Sequence, residues 1–113
     1  MDRLEDLLAR QKKLQLVFGN DFEKMTDADR QQYTKDNVLG LLDEIHEVLR
    51  EINWKKWKKT EKPVNKDKLL EELADALHFY FNLVLVWGFS AEDLYDAYIK
   101  KDRIVYDRIE KGY

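Results

Sequence analysis

Two short stretches decide the fold: residues 41–49 read LLDEIHEVL and residues 69–77 read LLEELADAL. In both, apolar residues recur every three or four positions, which is the period of an α-helix with one buried face. Each stretch also carries an acidic pair at i, i+3 spacing, namely Glu44 with Glu47 and Glu72 with Asp75. This spacing places the two carboxylates of a pair on one side of a helix, about one turn apart.

The rest of the chain has the same helical period, with only four glycines, one proline and no β-branched runs. We therefore predict an all-α, four-helix bundle-like fold. Caps are expected at Thr26, at Asn65 or Asp67, and at Ser90. The expected helices cover about residues 2–18, 35–57, from the cap at 65 or 67 to 87–88, and from Ser90 to Gly112, with a lysine-rich loop at 58–68.

The apolar residues predict which helix faces are buried. The third helix is apolar nearly all round over residues 76–87, which is more than so small a domain can cover, so we expect a subunit interface and a homo-oligomer there. The expected buried stripes are Leu4, Leu7, Leu8, Leu14 and Val17 on the first helix, and Val38, Leu41, Leu42, Ile45, Val48, Leu49 and Ile52 on the second.

Composition narrows the class of protein. With 113 residues, 44% hydrophobic and 38% charged, the chain is expected to form one globular domain over residues 1–113. A net charge of −3 gives no reason to expect nucleic-acid binding, and the lack of cysteine excludes thiolate metal sites and disulfides. The longest apolar run, 83–87, is too short to span a bilayer, and the acidic N-terminus does not resemble a signal peptide, so we expect a cytoplasmic protein.

The two acidic pairs predict a metal site. On both helices the acids border the buried stripe, so neighbouring helices would bring four carboxylates together: Glu44, Glu47, Glu72 and Asp75. Repulsion among them demands a hard divalent cation, Mg²⁺ first, with Mn²⁺ as a possible substitute. The alternative is that they are solvated surface charges. With 23 acids in the chain one pair means little, but two pairs at the core boundary favour the metal.

The two histidines are weaker signals. His46 lies off the apolar stripe and is expected at the surface, whereas His78 is a ligand, a substrate contact or a partly buried polar residue. Di-iron bundles need Glu-x-x-His on two helices. Only Asp75-x-x-His78 comes near that pattern, so a di-iron site is disfavoured.

Several motifs together resemble the all-α nucleoside triphosphate pyrophosphatases of the MazG-like superfamily, and most closely its dimeric dUTPase branch. The motifs are the two acidic pairs with 24 residues between them, WKKWK at 54–58, EELADALHF at 71–79, Gln11, and the tail from Tyr98 through Arg108 to Gly112 and Tyr113. The tail departs from the family pattern at Asp102, Val105 and Ile109, where that pattern has asparagine, asparagine and glutamine.

The resemblance implies a Mg²⁺-dependent pyrophosphatase that converts dUTP to dUMP and pyrophosphate and works as a homodimer or higher homo-oligomer. Metal ligands would be the four acids, with Glu44 or Glu47 also positioning the attacking water as general base. Substrate contacts would be Lys101 and Arg108 to the phosphates and Gln11, Trp54, His78 and Asn82 to the remainder, with Trp57 and Phe79 in reserve. The alternatives are another (d)NTP, such as dCTP or a modified nucleotide, and a non-catalytic helical dimer.

Overall fold

A computed structural model describes residues 1–112, which contain helices and no strand. Tyr113, the last residue of the tail motif, lies outside the described residues. The helices are α1 (Arg3–Val17), a short 3₁₀ helix (Phe22–Lys24), α2 (Asp27–Leu49), α3 (Lys66–Val86) and α4 (Ala91–Glu110). The all-α prediction is confirmed.

The helix starts follow local capping chemistry. Thr26 Oγ1 accepts a hydrogen bond from the Asp29 backbone N–H at 3.1 Å, and the Asp29 carboxylate accepts one from the Thr26 N–H at 3.0 Å. Ser90 and Asp93 form the same reciprocal box at α4, and Asn65 caps α3. Each cap satisfies backbone N–H groups that the first helical turn leaves without partners.

The predicted bounds of the second helix are wrong at both ends. The helix begins at Asp27 because the capping box at Thr26 opens α2 itself. It ends at Leu49, not at residue 57. In the loop that follows, the Asn53 side chain binds both the backbone carbonyl (2.7 Å) and the backbone N–H (3.0 Å) of Lys62 and so holds the loop folded back.

The antiparallel pair α2 and α3 forms the centre of the structure. Gly40 meets Phe79 at the crossing, and a Cβ at Gly40 would overlap the ring, with Phe79 Cδ1 only 2.6 Å away. On one side of this contact Asn37 binds Asn82. On the other side Glu44 approaches Asp75. Residues further along α2 therefore lie opposite residues that are equally far back along α3, as in an antiparallel pair.

Helix α1 packs across the C-terminal half of α3. Leu8 forms a small apolar core with Phe81 and Val84. Partly buried residues surround that core: Leu4, Leu85, Ala91 and Leu94. The last two belong to the start of α4, whose remaining residues are half-buried or exposed, and α4 turns away from α3 at 102°.

The predicted buried stripes are only partly correct. On α1, Leu8 is buried as expected, but Leu7, Leu14 and Val17 are exposed while Gln11 and Gln15 lie inside. In the stripe predicted for the second helix, the half-buried members are Leu41, Val48 and Leu49, and the exposed ones are Val38, Leu42, Ile45 and Ile52. The reason is that α2 meets α3 through the face of Asn37, Gly40 and Glu44, so the apolar stripe does not lie on the contact face.

Residues 76–87 of α3 are covered mainly within the chain. Ala76, Phe81, Val84 and Val86 are buried, so the apolar character of this segment is explained largely by the core of the chain itself. The large apolar residues that remain exposed on α3 are Leu70, Leu73, Leu77 and Tyr80, and the last two lie within residues 76–87. Across residues 1–112 no single helix has the length and apolar composition to cross a membrane. The bent pair α3 and α4 meets these two criteria only when both helices are counted together.

We predict that Gly40→Ala destabilises the protein although alanine favours helices by about 1 kcal/mol. The added methyl must push Phe79 away, and such overpacking costs about 1–3 kcal/mol. Urea denaturation followed by circular dichroism measures the net loss. In a Phe79→Leu background the same substitution should become neutral or stabilising, and an equal loss in both backgrounds would contradict the close contact.

Candidate metal centre

Three carboxylates converge between α2 and α3. Glu44, Glu72 and Asp75 each offer an oxygen atom, and these atoms lie within 4.8 Å of one another. The register set at Gly40 and Phe79 places Glu44 opposite Asp75, and Glu72 follows from the i, i+3 spacing on α3. All three residues are half-buried. The predicted convergence of acids from two helices is therefore present for three of the four.

The chemistry of this donor set fits a hard divalent cation. Carboxylate oxygens are the ligands that Mg²⁺ and Mn²⁺ prefer, and the three side chains come from rigid helices. Small rotations of the side chains would bring one oxygen atom from each residue to a common ion. The arrangement can hold a divalent metal.

Electrostatic repulsion marks the same cluster. Partial burial raises the pKa of the Glu44 carboxyl, and the charges of Asp75, Asp43, Glu72 and Glu47 raise it further. Loss of water and nearby like charges both disfavour the ionised form. A cation placed among these groups would remove that penalty.

Glu47, the fourth predicted ligand, lies outside the cluster. Its Oε2 atom pairs with Arg50 Nη1 at 2.9 Å. On α3, Lys68 Nζ lies 3.5 Å from Glu72 Oε1, and the charges of Glu71 and then Glu72 raise the pKa of Lys68. Sequence reasoning missed Arg50 and Lys68 as neighbours of the site. Their spacing from the acids, i+3 and i−4, was the available signal.

Gln11 and Asn82, two predicted substrate contacts, are brought together in the interior. Gln11 Nε2 donates to Asn82 Oδ1 at 2.8 Å, and Asn82 Nδ2 donates to Asn37 Oδ1 at 2.9 Å. Asn37 was not predicted. The sequence signal that could have identified Asn37 is its position seven residues before Glu44, on the same face of the second helix.

A second polar contact holds α1 against α2. The Tyr33 hydroxyl donates to Gln15 Oε1 at 2.8 Å, and the same oxygen accepts from Asn20 Nδ2. Burial raises the pKa of Tyr33 to about 12. The hydroxyl therefore stays protonated near neutral pH and can keep donating.

The tryptophans lie in the loop after α2. Trp54 and Trp57 meet edge to face with ring centroids 5.7 Å apart, and Lys55 Nζ lies 5.6 Å from the centre of the Trp54 ring. Both indoles are exposed. They are available to a ligand, but no contact within residues 1–112 ties them to the three acids.

His78 and Phe79 are occupied within the fold. His78 Nδ1 lies 2.9 Å from the Ala74 carbonyl oxygen of its own helix, and the residue is exposed, as is His46. Phe79, a reserve candidate for stacking on the base, instead covers Gly40.

The predicted phosphate contacts on α4 are not brought to the cluster within one chain. Lys101 and Arg108 are exposed on a helix that begins beyond the far end of α3. Asp75 precedes that end, Val86, by eleven residues, which is about 16 Å along the axis. The departures Asp102, Val105 and Ile109 lie on the same diverging helix.

A family model described as dUTPase matches residues 3–87. That span covers most of the chain and includes the amides and all three clustered acids. The chain belongs to this dUTPase family. The match ends before α4, so the dUTPase family model leaves out Lys101 and Arg108.

One similar protein is a dCTP pyrophosphatase of Enterobacteria phage LZ5. It is 25% identical over 144 residues, covering all of this chain and 84% of the phage protein. No solved structure matches. Together with membership of the dUTPase family, this relative supports a nucleoside triphosphate pyrophosphatase, in agreement with the resemblance read from the sequence.

We predict that the metal-free protein loses stability as pH rises above 4.5, the ordinary pKa of a glutamate. Because the pKa of Glu44 is raised in the fold, Glu44 contributes stability while protonated and loses that contribution as pH rises through its folded-state pKa. Thermal denaturation in a chelator should show the decline. Added Mg²⁺ should raise the melting temperature more at pH 7.5 than at pH 5.

Matched variants separate the cluster from general surface charge. Glu44→Gln should weaken the pH-dependent decline and abolish the Mg²⁺ effect. Glu71→Gln removes an exposed acid beside Glu72 and should leave the Mg²⁺ effect intact. Identical behaviour of the two variants would contradict a metal centre at Glu44.

Proposed function

We propose that this protein is a Mg²⁺-dependent pyrophosphatase that hydrolyses dUTP to dUMP and pyrophosphate. The observation that carries the proposal is the convergence of three half-buried carboxylates within 4.8 Å in a chain of the dUTPase family. A triphosphate brings about four negative charges, which acids alone would repel. Acids grouped in this way are useful to such a substrate only with a cation between them.

In the proposed mechanism Glu44, Glu72 and Asp75 hold the metal. When bound, Mg²⁺ supplies charge neutralisation for the phosphates and makes water more acidic. Glu47 lies close enough for its charge to raise the pKa of Glu44, while its own carboxylate stays outside the cluster. It is therefore our candidate for the base that takes a proton from the attacking water, with Glu44 as the second.

The proposed reaction is the hydrolysis of a phosphoanhydride bond. Water adds to phosphorus, the anhydride bond between the α and β phosphates breaks, and pyrophosphate leaves. The water proton passes to Glu47. Arg50 and Lys68, which pair with Glu47 and Glu72 in the chain, are near enough to exchange those partners for phosphate oxygens.

The base is proposed to bind near Gln11 and Asn82, with Trp54 and His78 as further contacts. A second substrate, dCTP, is favoured by the similarity to the phage dCTP pyrophosphatase. Val105 provides no hydrogen bond where the resembling family has asparagine, which is consistent with a weakened distinction between the two bases.

We also propose a homodimer, formed through an apolar face on the outward surface of α2 and α3. Its residues are Val38, Leu42, Ile45, Leu70, Leu73, Leu77 and Tyr80, and all are exposed in the single chain. At 100° per residue the α2 set lies about 130°, and the α3 set about 170°, from the face on which the two helices meet. Exposed apolar residues grouped on the outward surface of two neighbouring helices are typical of a subunit contact.

The dimer also accounts for α4. Within its own chain α4 carries Lys101 and Arg108 away from the acids, and no residue of α4 is buried. We propose that α4 of one protomer places these cations beside the acids of its partner. The phosphate contacts would then act between subunits.

We predict that a panel of (d)NTPs with Mg²⁺ will release pyrophosphate from dUTP or dCTP in preference to purine nucleotides. Glu72→Gln and Asp75→Asn should each reduce turnover by about 100-fold or more, since each removes a charge that binds the cation. Glu71→Gln, next to Glu72 but outside the cluster, is the control. Full activity in the Glu72→Gln, Asp75→Asn double variant would refute the metal mechanism.

We predict that Leu73→Lys converts the dimer to monomers in light scattering, because it places a charge in the apolar face. Val17→Lys changes another exposed apolar residue, on α1 and outside that face, and should leave the dimer intact. A wild-type protein that is monomeric in dilute solution would contradict the proposed dimer.

Mixed dimers test contacts between subunits. Co-refolding Glu72→Gln with Arg108→Ala chains should restore about a quarter of wild-type activity, since half of the dimers are mixed and each has one intact site. If Arg108 acts within its own chain, the mixture should remain as inactive as its parents.

A further inference from the structure

A buried chain of amides links three helices and ends on the backbone. Gln11 donates to Asn82, Asn82 donates to Asn37, and Asn37 Nδ2 donates to the Tyr33 carbonyl oxygen at 2.9 Å. The three side chains are 4%, 4% and 7% exposed, respectively. We refer to Gln11, Asn82, Asn37 and the Tyr33 carbonyl as the amide relay.

The backbone carbonyl determines the direction of the amide relay. A carbonyl oxygen only accepts, so Asn37 must turn its NH₂ group toward Tyr33 and its oxygen toward Asn82. Asn82 must then donate to Asn37 and accept from Gln11. The opposite orientation would set two oxygens against each other in the interior, where an unmade hydrogen bond is costly.

The direction of the amide relay leaves Gln11 with an uncommitted acceptor. Its Nε2 is engaged by Asn82, whereas Oε1 takes part in no side-chain hydrogen bond within residues 1–112. None of the buried side-chain nitrogen or oxygen atoms in that part of the chain lacks a partner. Gln11 Oε1 is therefore not fully enclosed and keeps a small access to solvent.

The position of the amide relay matches a nucleotide bound at the acids. Asn37 lies seven residues before Glu44 on α2, and Asn82 lies seven residues after Asp75 on α3. Both separations are two helical turns, or about 10 Å, on the same helix faces. A nucleotide with its phosphates at the acids would carry its base at a distance of this order.

We infer that Asn37, Asn82 and the Tyr33 carbonyl are positioning groups that hold Gln11 as a hydrogen-bond acceptor for an N–H group on the edge of a pyrimidine base. The donor is N3–H of uracil or the 4-amino group of cytosine. Asn37 and the Tyr33 carbonyl act through their neighbours. The inference rests on the proposed function and adds how the base is selected.

A substrate analogue without that donor tests the acceptor directly. The deoxynucleoside triphosphate of pyrimidin-2-one lacks both the N3–H and the 4-amino group. Binding it would leave Gln11 Oε1 covered and unpaired, and sites of this kind reject such analogues by about 10⁴- to 10⁵-fold. The wild-type ratio of kcat/KM for the better of dUTP and dCTP to that for the analogue should lie in this range.

Variants at the far end of the amide relay test positioning. Asn37→Leu keeps the branched shape of the side chain but removes both hydrogen-bonding groups, so Asn82 and Gln11 lose their imposed direction. The discrimination ratio should fall at least tenfold, with a smaller change in kcat for the good substrate. Asn37→Asp, protonated in this buried setting, can still donate to Tyr33 and accept from Asn82, and it should restore the ratio.

A matched control removes another hydrogen bond of the same core. Gln15→Leu removes the oxygen that accepts from the Tyr33 hydroxyl and leaves every member of the amide relay unchanged. It should lower the melting temperature and leave discrimination unchanged. If Asn37→Leu does not fold, Asn37→Ser replaces it, because a hydroxyl can satisfy either neighbour without imposing a direction.

The outcomes separate the inference from the proposed function. An Asn37→Leu or Asn37→Ser variant that keeps the wild-type ratio makes the amide relay purely structural and overturns the inference. Wild-type protein that hydrolyses the analogue as well as dUTP or dCTP overturns it too, while leaving pyrophosphatase activity in place. A protein that hydrolyses no pyrimidine nucleotide refutes the proposed function, and the inference with it.

Discussion

The contact between Gly40 and Phe79 is the constraint on which the rest of the structure depends. Without a side chain at Gly40, the Phe79 ring can lie against the backbone of α2, and the two helices come close in one register. That register pairs Asn37 with Asn82 on one side and Glu44 with Asp75 on the other. A shift of one residue would rotate the acids and the amides away from each other, so one steric contact aligns both polar groups.

The space between α2 and α3 is more polar than a helical core usually is. Amides fill one part of this space and are linked to one another by hydrogen bonds. Carboxylates fill another part and repel one another. Much of the apolar surface of both helices is left outside. The single chain thus has excess negative charge between its central helices and excess apolar area on its outward surface. The proposed cation would neutralise that charge, and the proposed second protomer would cover that apolar area.

Prediction from sequence succeeded where the signal was local. The acids of α3 and Glu44 were predicted to converge because i, i+3 pairs beside an apolar stripe can face a neighbouring helix. Prediction was less complete where side chains had a choice of partners. Glu47 has the same spacing, yet it pairs with Arg50. Asn37 was not predicted because a single amide gives no periodic signal. Its role is seen only in the fold, where it accepts a hydrogen bond from Asn82.

The sequence by itself determined the family, the helical class and the helix starts, since a cap at Thr26 or Ser90 depends only on backbone groups a few residues away. It also determined the content of each helix face. Which face turns inward was decided by the tertiary structure, because burial depends on what a helix packs against. Leu42 and Ile45 are therefore exposed while Gln11 and Gln15 are buried. The direction of the amide relay likewise exists only in the fold, since it is imposed by one backbone carbonyl through contacts among three helices.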